Sequence, residues 1–476
     1  MNVKNTGVRK RVRRTLQVAF PLIIQGLVFQ LQSLTDKAFL GNLDTAYVSA
    51  AGAAQMPYLA TMDSIVAIST GLVIIVSKLY GAGEKDKIAS YVRSMIWYNT
   101  LFGVVIFGIW YLGAGQILRF FRVDNSIIGY GVSYVRICAG FFLFVGIDSA
   151  LHAMLQGRGE TKPIMYTGIL KVGVNILVSW VLIYGKWGFP AMHVTGAAIG
   201  TLVANVVSFL SLFVYCVICK RKEYRIWEKG NRCPSLRLYG GAMRLGVPVG
   251  IEYLLWNASN LLLIRFINGF SYRDMAIYTL TFGFQCIVYM FFEGTSKATL
   301  SLMGHEIGAG DRREAGRFFY TTILMNFGIV ITAAVLFAAI PEKLLSVFSN
   351  DTDLIESGAI FLILIGVIMI PQSVNVICGN AIRANDDTKW MLFSQIFGSV
   401  LVVSMSWFLV EKLQMDMTAI YITLFLDESI RGGINFIYYQ KMYGRENPTK
   451  NHGIDRKSWR HGKIFCRNAK KGLKYN

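Results

Sequence analysis

Charge is scarce in this sequence. Only 16% of the 476 residues are charged, against roughly 25% in a typical soluble protein. Continuous apolar stretches of about 20 residues recur along the chain, and a helix of that length crosses the ~30 Å hydrocarbon core of a bilayer. The stretches do not alternate between apolar and polar residues, as the strands of a barrel do. The composition therefore excludes a soluble protein and predicts a helical membrane protein.

Motifs for catalysis and for nucleotide binding are also missing. A phosphate-binding loop ends in Gly-Lys-Ser/Thr, and this combination does not occur in the sequence. The seven cysteines have no spacing typical of a metal site or of a disulfide framework. Clustered nucleophiles and cofactor motifs are absent as well. We therefore expect no enzyme activity, no cofactor, no bound metal and no direct use of ATP.

The apolar stretches predict an all-α integral membrane protein with twelve transmembrane helices. The predicted spans are 17–40, 50–77, 95–114, 132–155, 164–184, 195–219, 241–268, 275–303, 317–340, 358–382, 390–410 and 418–439. They divide the chain into five parts: a basic N-terminal tail (1–16), a six-helix lobe (17–219), a basic linker (220–240), a second six-helix lobe (241–440) and a basic C-terminal tail (441–476).

The net charge of +20 raises the question of nucleic-acid binding, but the location of the charge answers it. Most Lys and Arg residues lie in the two tails and in the even-numbered loops. The odd-numbered loops hold only Arg119, Arg122, Lys186, Arg273, Lys343 and Lys412. This bias predicts a plasma-membrane protein, such as one of the bacterial inner membrane, with both termini in the cytoplasm. The basic segments then face anionic lipid headgroups, and no nucleic-acid partner is expected.

The chain repeats itself at an offset of 227 residues. Pro21 falls on Pro248, and Gly81-Ala82-Gly83 falls on Gly308-Ala309-Gly310. Other coincident pairs are Phe121 with Phe348, Asp124 with Asp351, Thr161 with Thr388, Ser179 with Ser406 and Trp180 with Trp407. Six spans per half place both halves in the same orientation, so a pseudo-two-fold axis runs along the membrane normal. A substrate site is then expected between the lobes, although a duplicated scaffold such as a channel is an alternative.

Several motifs occur in an order and spacing that identify a family. They are Pro21 at the start of span 1, Leu-Thr-Asp-Lys-Ala-Phe-Leu-Gly at 34–41, the two Gly-Ala-Gly turns, Gly157–Pro163 with its repeat partner Arg383–Lys389, and Asn175 in span 5. Together they resemble the multidrug and toxic compound extrusion (MATE) transporters, within a superfamily that also holds flippases for lipid-linked oligosaccharides. The resemblance covers roughly residues 15–445. It implies two six-helix lobes in a V around a central cavity, driven by a proton or sodium gradient.

The resemblance also implies a site for the coupling cation. Asp36 matches the carboxylate that carries the ion in many members, Asn175 matches a span-5 amide and Thr201 a span-6 hydroxyl. Ser179, the fourth residue of the predicted coupling site, stands where many members have a second span-5 Asp. In the second lobe, Gln372 replaces an Asp, and Glu252 lies one turn before the usual position of a Glu. These departures weigh against a complete sodium site in either lobe.

Asp36 is the residue that we expect to couple transport to the gradient. Protonation of a carboxylate shielded from water removes a buried charge. This changes the relative energy of two lobe arrangements, which is what coupling requires. The alternative is that Asp36 forms a fixed pair with a basic residue elsewhere.

Other ionisable residues within the spans are predicted to form a buried charge network. Asp63, Asp148 and Lys171 fit a paired network inside the N-terminal lobe, and the alternative is a proton relay or a contact with substrate. Glu293 and Lys297, four residues apart, are expected to pair along one helix face. In span 12 we expect Glu428 to pair with Arg431, which leaves Asp427 on another face.

Spans 7 and 8 supply the candidate substrate cavity. Its predicted lining is Glu252, Tyr253, Trp256, Phe282 and Tyr289. Acids and aromatic rings suit organic cations through cation–π contact, so we expect a monomeric antiporter that exports small cationic or amphipathic molecules. Bases in the same spans leave anionic or zwitterionic substrates open. The competing function is a flippase for a lipid-linked oligosaccharide or polysaccharide precursor, whose diphosphate needs a strongly basic cleft.

Overall fold

The computed structural model describes residues 2–41, 43, 45–121, 123–227, 233–348 and 351–444. Every regular element within these residues is a helix. We label the membrane-spanning helices α1 to α12 in chain order. The predicted C-terminal tail lies outside the described residues from residue 445 onward.

The N-terminal lobe contains α1 to α6. These are α1 (Asn2–Gly41), α2 (Thr45–Ile68 and Thr70–Gly81), α3 (Lys85–Phe120), α4 (Ile128–Ala139 and Phe142–Arg158), α5 (Lys162–Tyr184) and α6 (His193–Phe213). α1 contains the predicted first span and also most of the basic tail before it. One turn of π-helix (Val214–Cys219) extends α6, and a short helix (Arg221–Tyr224) follows it.

The C-terminal lobe contains α7 to α12. These are α7 (Leu236–Ile267), α8 (Tyr272–Ala309), α9 (Arg312–Ala339), α10 (Thr352–Ala384), α11 (Thr388–Trp407) and α12 (Thr418–Tyr439). A short helix (Pro341–Leu345) follows α9, and π-helical turns extend α11 (Phe408–Lys412) and α12 (Gln440–Gly444).

The prediction of twelve spans is confirmed. Ten helices within the described residues are long and apolar enough to cross a membrane, and the two segments of α4, bent by 50°, form an eleventh span. α12 is the twelfth. Its sequence is less apolar because it carries Asp427, Glu428 and Arg431, which are all buried inside the lobe.

Local sequence explains where several helices begin and end. Gly159 and Gly310 terminate α4 and α8 in the left-handed conformation, which glycine adopts without a Cβ penalty. α8 begins with a capping box, in which Ser271 and Asp274 satisfy each other's backbone N–H groups. Asp311 caps α9 by accepting a hydrogen bond from a backbone N–H of its first turn.

The backbone repeats at the same offset as the sequence. Gly83 and Gly310, which are 227 residues apart, have φ angles of 74° and 89°. Gly159 and Asp386, at the same separation, have φ angles of 75° and 70°. Asp386 adopts the left-handed conformation although it has a side chain, because the turn geometry of the first lobe recurs in the second. The two lobes are therefore structural repeats.

The buried apolar side chains show how the lobes meet. We call the face that carries the start of α1 and the Gly81–Gly83 and Gly308–Gly310 turns the basic face. One core lies near this face and draws on both lobes, including Leu72, Leu155, Met303, Phe318 and Ile377. Toward the opposite face the core divides into one cluster within the N-terminal lobe and another within the C-terminal lobe. The lobes are thus joined at the basic face and separate toward the other, which gives a V.

Small residues bring the two lobes into close contact at the basic face. A Cβ atom added to Gly81 of α2 would lie 1.9 Å from the carbonyl oxygen of His305 in α8. One added to Gly308 of α8 would lie 2.0 Å from the carbonyl oxygen of Lys78 in α2. The offset of 227 converts each contact into the other, so the pseudo-two-fold axis passes between α2 and α8 at this point.

Polar contacts between the lobes reinforce this closed region. They join Lys78 Nζ to Asp386 Oδ2 at 2.6 Å, Arg14 Nη1 to Glu306 Oε1 at 2.8 Å, and His305 Nε2 to the Gly157 carbonyl oxygen at 2.7 Å. Each has to break if the lobes are to separate at the basic face.

Candidate functional site

A polar cluster inside the N-terminal lobe contains all four predicted coupling residues. Asn175 and Ser179 lie on the same face of α5 because they are four residues apart, and both are fully buried. The Asn175 amide nitrogen lies 3.4 Å from both Ser179 Oγ and Thr201 Oγ1 of α6. α5 and α6 approach this closely because α6 has a glycine there: a Cβ added to Gly200 would lie 2.2 Å from Ser179 Oγ. Asp36 of α1 joins the cluster through its contact with Asn175.

Two acceptor oxygens in this cluster have no hydrogen-bond donor. Asp36 Oδ1 and Asn175 Oδ1 are both buried and lack a partner within the described residues. A buried acceptor that loses its hydrogen bonds to water costs roughly 1–3 kcal/mol. A proton on Asp36 would turn its carboxyl group into a donor for a neighbouring acceptor. The arrangement is therefore suited to bind a proton or a small cation.

Lys171 of α5 connects this cluster to a second acid in α4. Its ammonium group lies close enough to both Asp148 and Asp36 for their charges to act on it. His152 Nδ1 lies 3.4 Å from Asp148 Oδ2, one turn along α4. The N-terminal lobe thus holds a chain of titratable groups that leads from His152 to Asp36.

The prediction that Asp63 belongs to this N-terminal network is wrong. Asp63 lies on α2 where that helix faces the C-terminal lobe, and its electrostatic neighbours are Glu293 and Lys297 of α8. Glu293 and Lys297 form the predicted ion pair along α8, with a distance of 2.8 Å. Helical periodicity shows which residues share a face of α2, but not which lobe that face meets. Asp63 therefore joins a cluster between the lobes.

The Glu428–Arg431 pair expected within α12 is present, with a distance of 3.6 Å, but the expectation that Asp427 lies on another face is wrong. Arg431 makes a bidentate ion pair with Asp427, with nitrogen–oxygen distances of 2.8 and 2.5 Å, because residues four apart lie on one helix face. Besides its pairing with Arg431, Glu428 accepts hydrogen bonds from Gln372 at 3.1 Å and Asn375 at 2.8 Å. The carboxylate that turns toward α10 is therefore Glu428.

Arg383 is the functional candidate that the sequence did not reveal. It lies near the end of α10 and forms a buried ion pair with Glu252 of α7, with a distance of 2.5 Å. It also donates a hydrogen bond to Asn380 at 3.1 Å. Arg383 lies beside a loop that is rich in basic residues. In the sequence it therefore could not be distinguished from the loop residues that produce the positive-inside charge bias. Glu252, for which no local partner was visible, thus has one 131 residues away.

The aromatic residues predicted to line a cavity separate into two groups. Tyr253 and Tyr289 lie beside the charges of Glu293 and Arg383, at the centre of the molecule. Phe282 stacks on Tyr278 in the outer core of the C-terminal lobe. Trp256 is 43% exposed. We call Asp63, Glu252, Tyr253, Tyr289, Glu293, Lys297, Arg383 and Glu428 the central cluster.

We expect Arg383→Ala to lower the thermal stability of the purified protein strongly. Removal of one partner of a buried ion pair leaves an uncompensated charge, which costs about 3–5 kcal/mol. Arg383→Ala combined with Glu252→Ala should recover part of the loss, because no lone charge remains. Thermal unfolding in detergent measures both variants. The matched control is Arg273→Ala, whose partner Asp353 lies 3.5 Å away at an exposed position; a loss there as large as that of Arg383→Ala would contradict the prediction.

Both halves of the chain are similar to one family of known proteins. The MatE family model matches the chain twice, at residues 21–181 and 248–408. Both matches start and end 227 residues apart, the offset of the repeat. The chain belongs to the MatE family. It is therefore a multi-pass membrane transporter, and the resemblance drawn from its motifs is confirmed.

Individual relatives are distant but extend over most of the chain. A probable multidrug resistance protein NorM of Thermotoga maritima is 22% identical, over 90% of this chain and 92% of that protein. The multidrug resistance protein NorM of Photobacterium profundum is 24% identical, over 80% of this chain and 83% of that protein. A solved structure described as the outward-facing conformation of a multidrug resistance MATE family transporter of the MOP superfamily matches with a TM-score of 0.84. It is 17% identical and covers 90% of this chain and 95% of that one. This structural similarity confirms the two-lobed fold.

Proposed function

We propose that this chain exports small organic cations across the plasma membrane by alternating access, in exchange for protons. The names of the relatives, which describe multidrug resistance proteins, support the export of drug-like compounds. In this proposal the basic face is cytoplasmic, as the distribution of Lys and Arg suggests. The V then opens to the outside, and the described conformation is the one that releases substrate.

The observation that carries the coupling step is the pair of unpartnered oxygens on Asp36 and Asn175. While Asp36 is an anion, its Oδ1 atom and Asn175 Oδ1 are buried without a donor from the described residues. A proton on its carboxyl group supplies the missing donor and removes a buried charge. Uptake of a proton therefore stabilises the packing of α1 against α5, and its release loosens that packing. A group whose contacts differ between two states shifts their populations.

A proton fits this site better than a sodium ion. Hard cations need several oxygen ligands, and the site contains one carboxylate, with the positive charge of Lys171 nearby. In the other lobe, the guanidinium of Arg383 already occupies the place beside Glu252 that a cation would take. Among the residues that the structure describes, no group of three or more His, Cys, Asp or Glu side chains has the arrangement of a metal site.

The charge of the central cluster favours a cationic substrate. Its acids (Asp63, Glu252, Glu293 and Glu428) outnumber its bases (Lys297 and Arg383). The rings of Tyr253 and Tyr289 add surfaces on which an organic cation can bind. A lipid-linked diphosphate would require the opposite balance, so this surplus of acid favours export over lipid flipping.

The experiment that tests the proposal is efflux of a fluorescent organic cation from energised cells. We expect cells that express the protein to retain less dye than cells with an empty vector. A protonophore should abolish the difference, whereas replacement of sodium by potassium should leave it unchanged.

Two results would contradict different parts of the proposal. Equal dye retention, with the protein present in the membrane, would contradict export of organic cations. Efflux that stops when sodium is replaced would contradict proton coupling alone.

A further inference from the structure

A groove between α1 and α5 opens beside the start of both helices, at the basic face. It has a volume of about 1040 Å³ and lies outside the region where the two lobes meet. Its walls include four basic side chains and three large apolar ones. The basic ones are Arg9, Lys10, Arg13 and Lys162, and the apolar ones are Leu16, Phe20 and Tyr166.

Within the residues that the structure describes, the four basic side chains have no acidic partner. Arg11 and Arg14, on the other side of α1, are paired with Glu314 and Glu306 of the C-terminal lobe. In contrast, none of the four groove residues forms an ion pair within the described part of the chain. Their charges are therefore available to an anion that enters the groove.

Along both helices, basic residues are followed by apolar ones. This order corresponds to the change from lipid headgroups to acyl chains across the surface of a bilayer. On α1 the basic residues come first, and Leu16 and Phe20 follow one and two turns later. On α5, Lys162 at the first turn precedes Tyr166 by one turn. The apolar side chains are open to an occupant of the groove: Leu16 is 45%, Phe20 56% and Tyr166 62% exposed. Basic residues at the membrane surface attract anionic lipids, and apolar side chains below them suit acyl chains.

We propose that this groove binds an anionic phospholipid, with the phosphate held by Arg9, Lys10, Arg13 and Lys162 and an acyl chain along Leu16, Phe20 and Tyr166. The lipid would lie in the leaflet next to the basic face. It would also touch Pro21, where α1 lacks one backbone hydrogen bond and is easiest to bend. A lipid in the groove would therefore contact α1, the helix that carries Asp36, at the residue where this helix bends most easily.

Lipid retention measured by native mass spectrometry tests the proposal. The purified full-length chain in detergent is mixed with phosphatidylglycerol or with phosphatidylcholine. We expect the wild type to retain phosphatidylglycerol in preference to phosphatidylcholine. The quadruple variant Arg9→Gln, Lys10→Gln, Arg13→Gln and Lys162→Gln should lose this preference roughly tenfold or more, since each basic residue near an anionic surface contributes to binding.

A second quadruple variant keeps the test specific to the groove. Lys222→Gln, Arg237→Gln, Arg244→Gln and Lys389→Gln remove the same number of charges elsewhere, and this variant should retain phosphatidylglycerol as the wild type does. Glycerol 3-phosphate, which has no acyl chain, should leave no adduct on the wild type. The proposal is overturned if the wild type has no headgroup preference, if the groove variant keeps it, if both quadruple variants lose it equally, or if glycerol 3-phosphate is retained.

Discussion

Asp36→Asn is expected to reduce dye efflux to the level of cells that lack the protein. Asparagine has almost the same shape as aspartate, but it cannot take up or release a proton. Its amide group can donate permanently to Asn175 Oδ1, which has no donor among the described residues of the wild type. The variant would therefore remain in the packing that protonation of Asp36 produces. Without an exchangeable proton, export would no longer be driven by the gradient.

The same variant should fail in a second assay that does not depend on cell physiology. Purified wild-type protein in a weakly buffered solution is expected to release protons when it binds an organic cation. Asp36→Asn should bind the cation and release far fewer protons. Proton release that matches the wild type would contradict the assignment, because another group would then carry the coupling proton.

Asp63→Asn is the matched control for this prediction. Asp63 is also an acid within a membrane-spanning helix, but it lies between the lobes beside Glu293 and Lys297. Its replacement removes the same charge without touching the Asn175 cluster. We expect Asp63→Asn to alter substrate affinity and to keep both pH-dependent efflux and proton release.

The sequence predicted those parts of the structure that depend on periodicity and repetition. The twelve spans follow from apolar length, and the pseudo-two-fold relation follows from the offset that joins Gly83 to Gly310 and Gly159 to Asp386. The meeting of Asp36 with Asn175 was implied by the family resemblance. Asn175 and Ser179 share a face of α5 simply because they are four residues apart.

The partners of buried charges could not be predicted in the same way. Glu252 and Arg383 are 131 residues apart, and only the fold of the C-terminal lobe, in which α7 packs against α11, brings them together. Arg383 also resembled a loop residue, because the charge bias that orients membrane proteins does not separate a buried arginine from one at the surface. Asp63 was assigned to the wrong network because α2 contacts both its own lobe and the opposite one. Helix faces are visible in a sequence, but the neighbour of each face is a property of the fold.

The second large effect is expected at the contact between α2 and α8. Gly81→Leu and Gly308→Leu should each reduce efflux at least tenfold. A real Cβ atom is essentially never found within 3.0 Å of a heavy atom from another part of the chain, yet these would lie 1.9 and 2.0 Å from backbone carbonyl oxygens. The helices therefore have to move apart. Overpacking of this kind costs about 1–3 kcal/mol or more, and each 1.4 kcal/mol changes the balance of two states tenfold.

Spin labels on the basic face measure this shift directly. Lys85→Cys and Arg312→Cys, which occupy the same position in the two repeats, are exposed at the starts of α3 and α9. In a background without the native cysteines, we expect the wild type to give mainly short distances between the labels. Either leucine variant should move the distribution to longer distances, because the lobes can no longer close at this face.

Two other glycines provide the control for the size of the new side chain. A Cβ added to Gly108 of α3 or Gly328 of α9 meets no atom within 4 Å. Gly108→Leu and Gly328→Leu should therefore leave the label distances and the efflux near the wild-type values. If Gly81→Leu kept the short distances, the lobes would be held together by the ion pairs of Lys78 and Arg14 rather than by close packing of α2 on α8. If it lengthened the distances while efflux continued, closure at the basic face would not be a required step of transport.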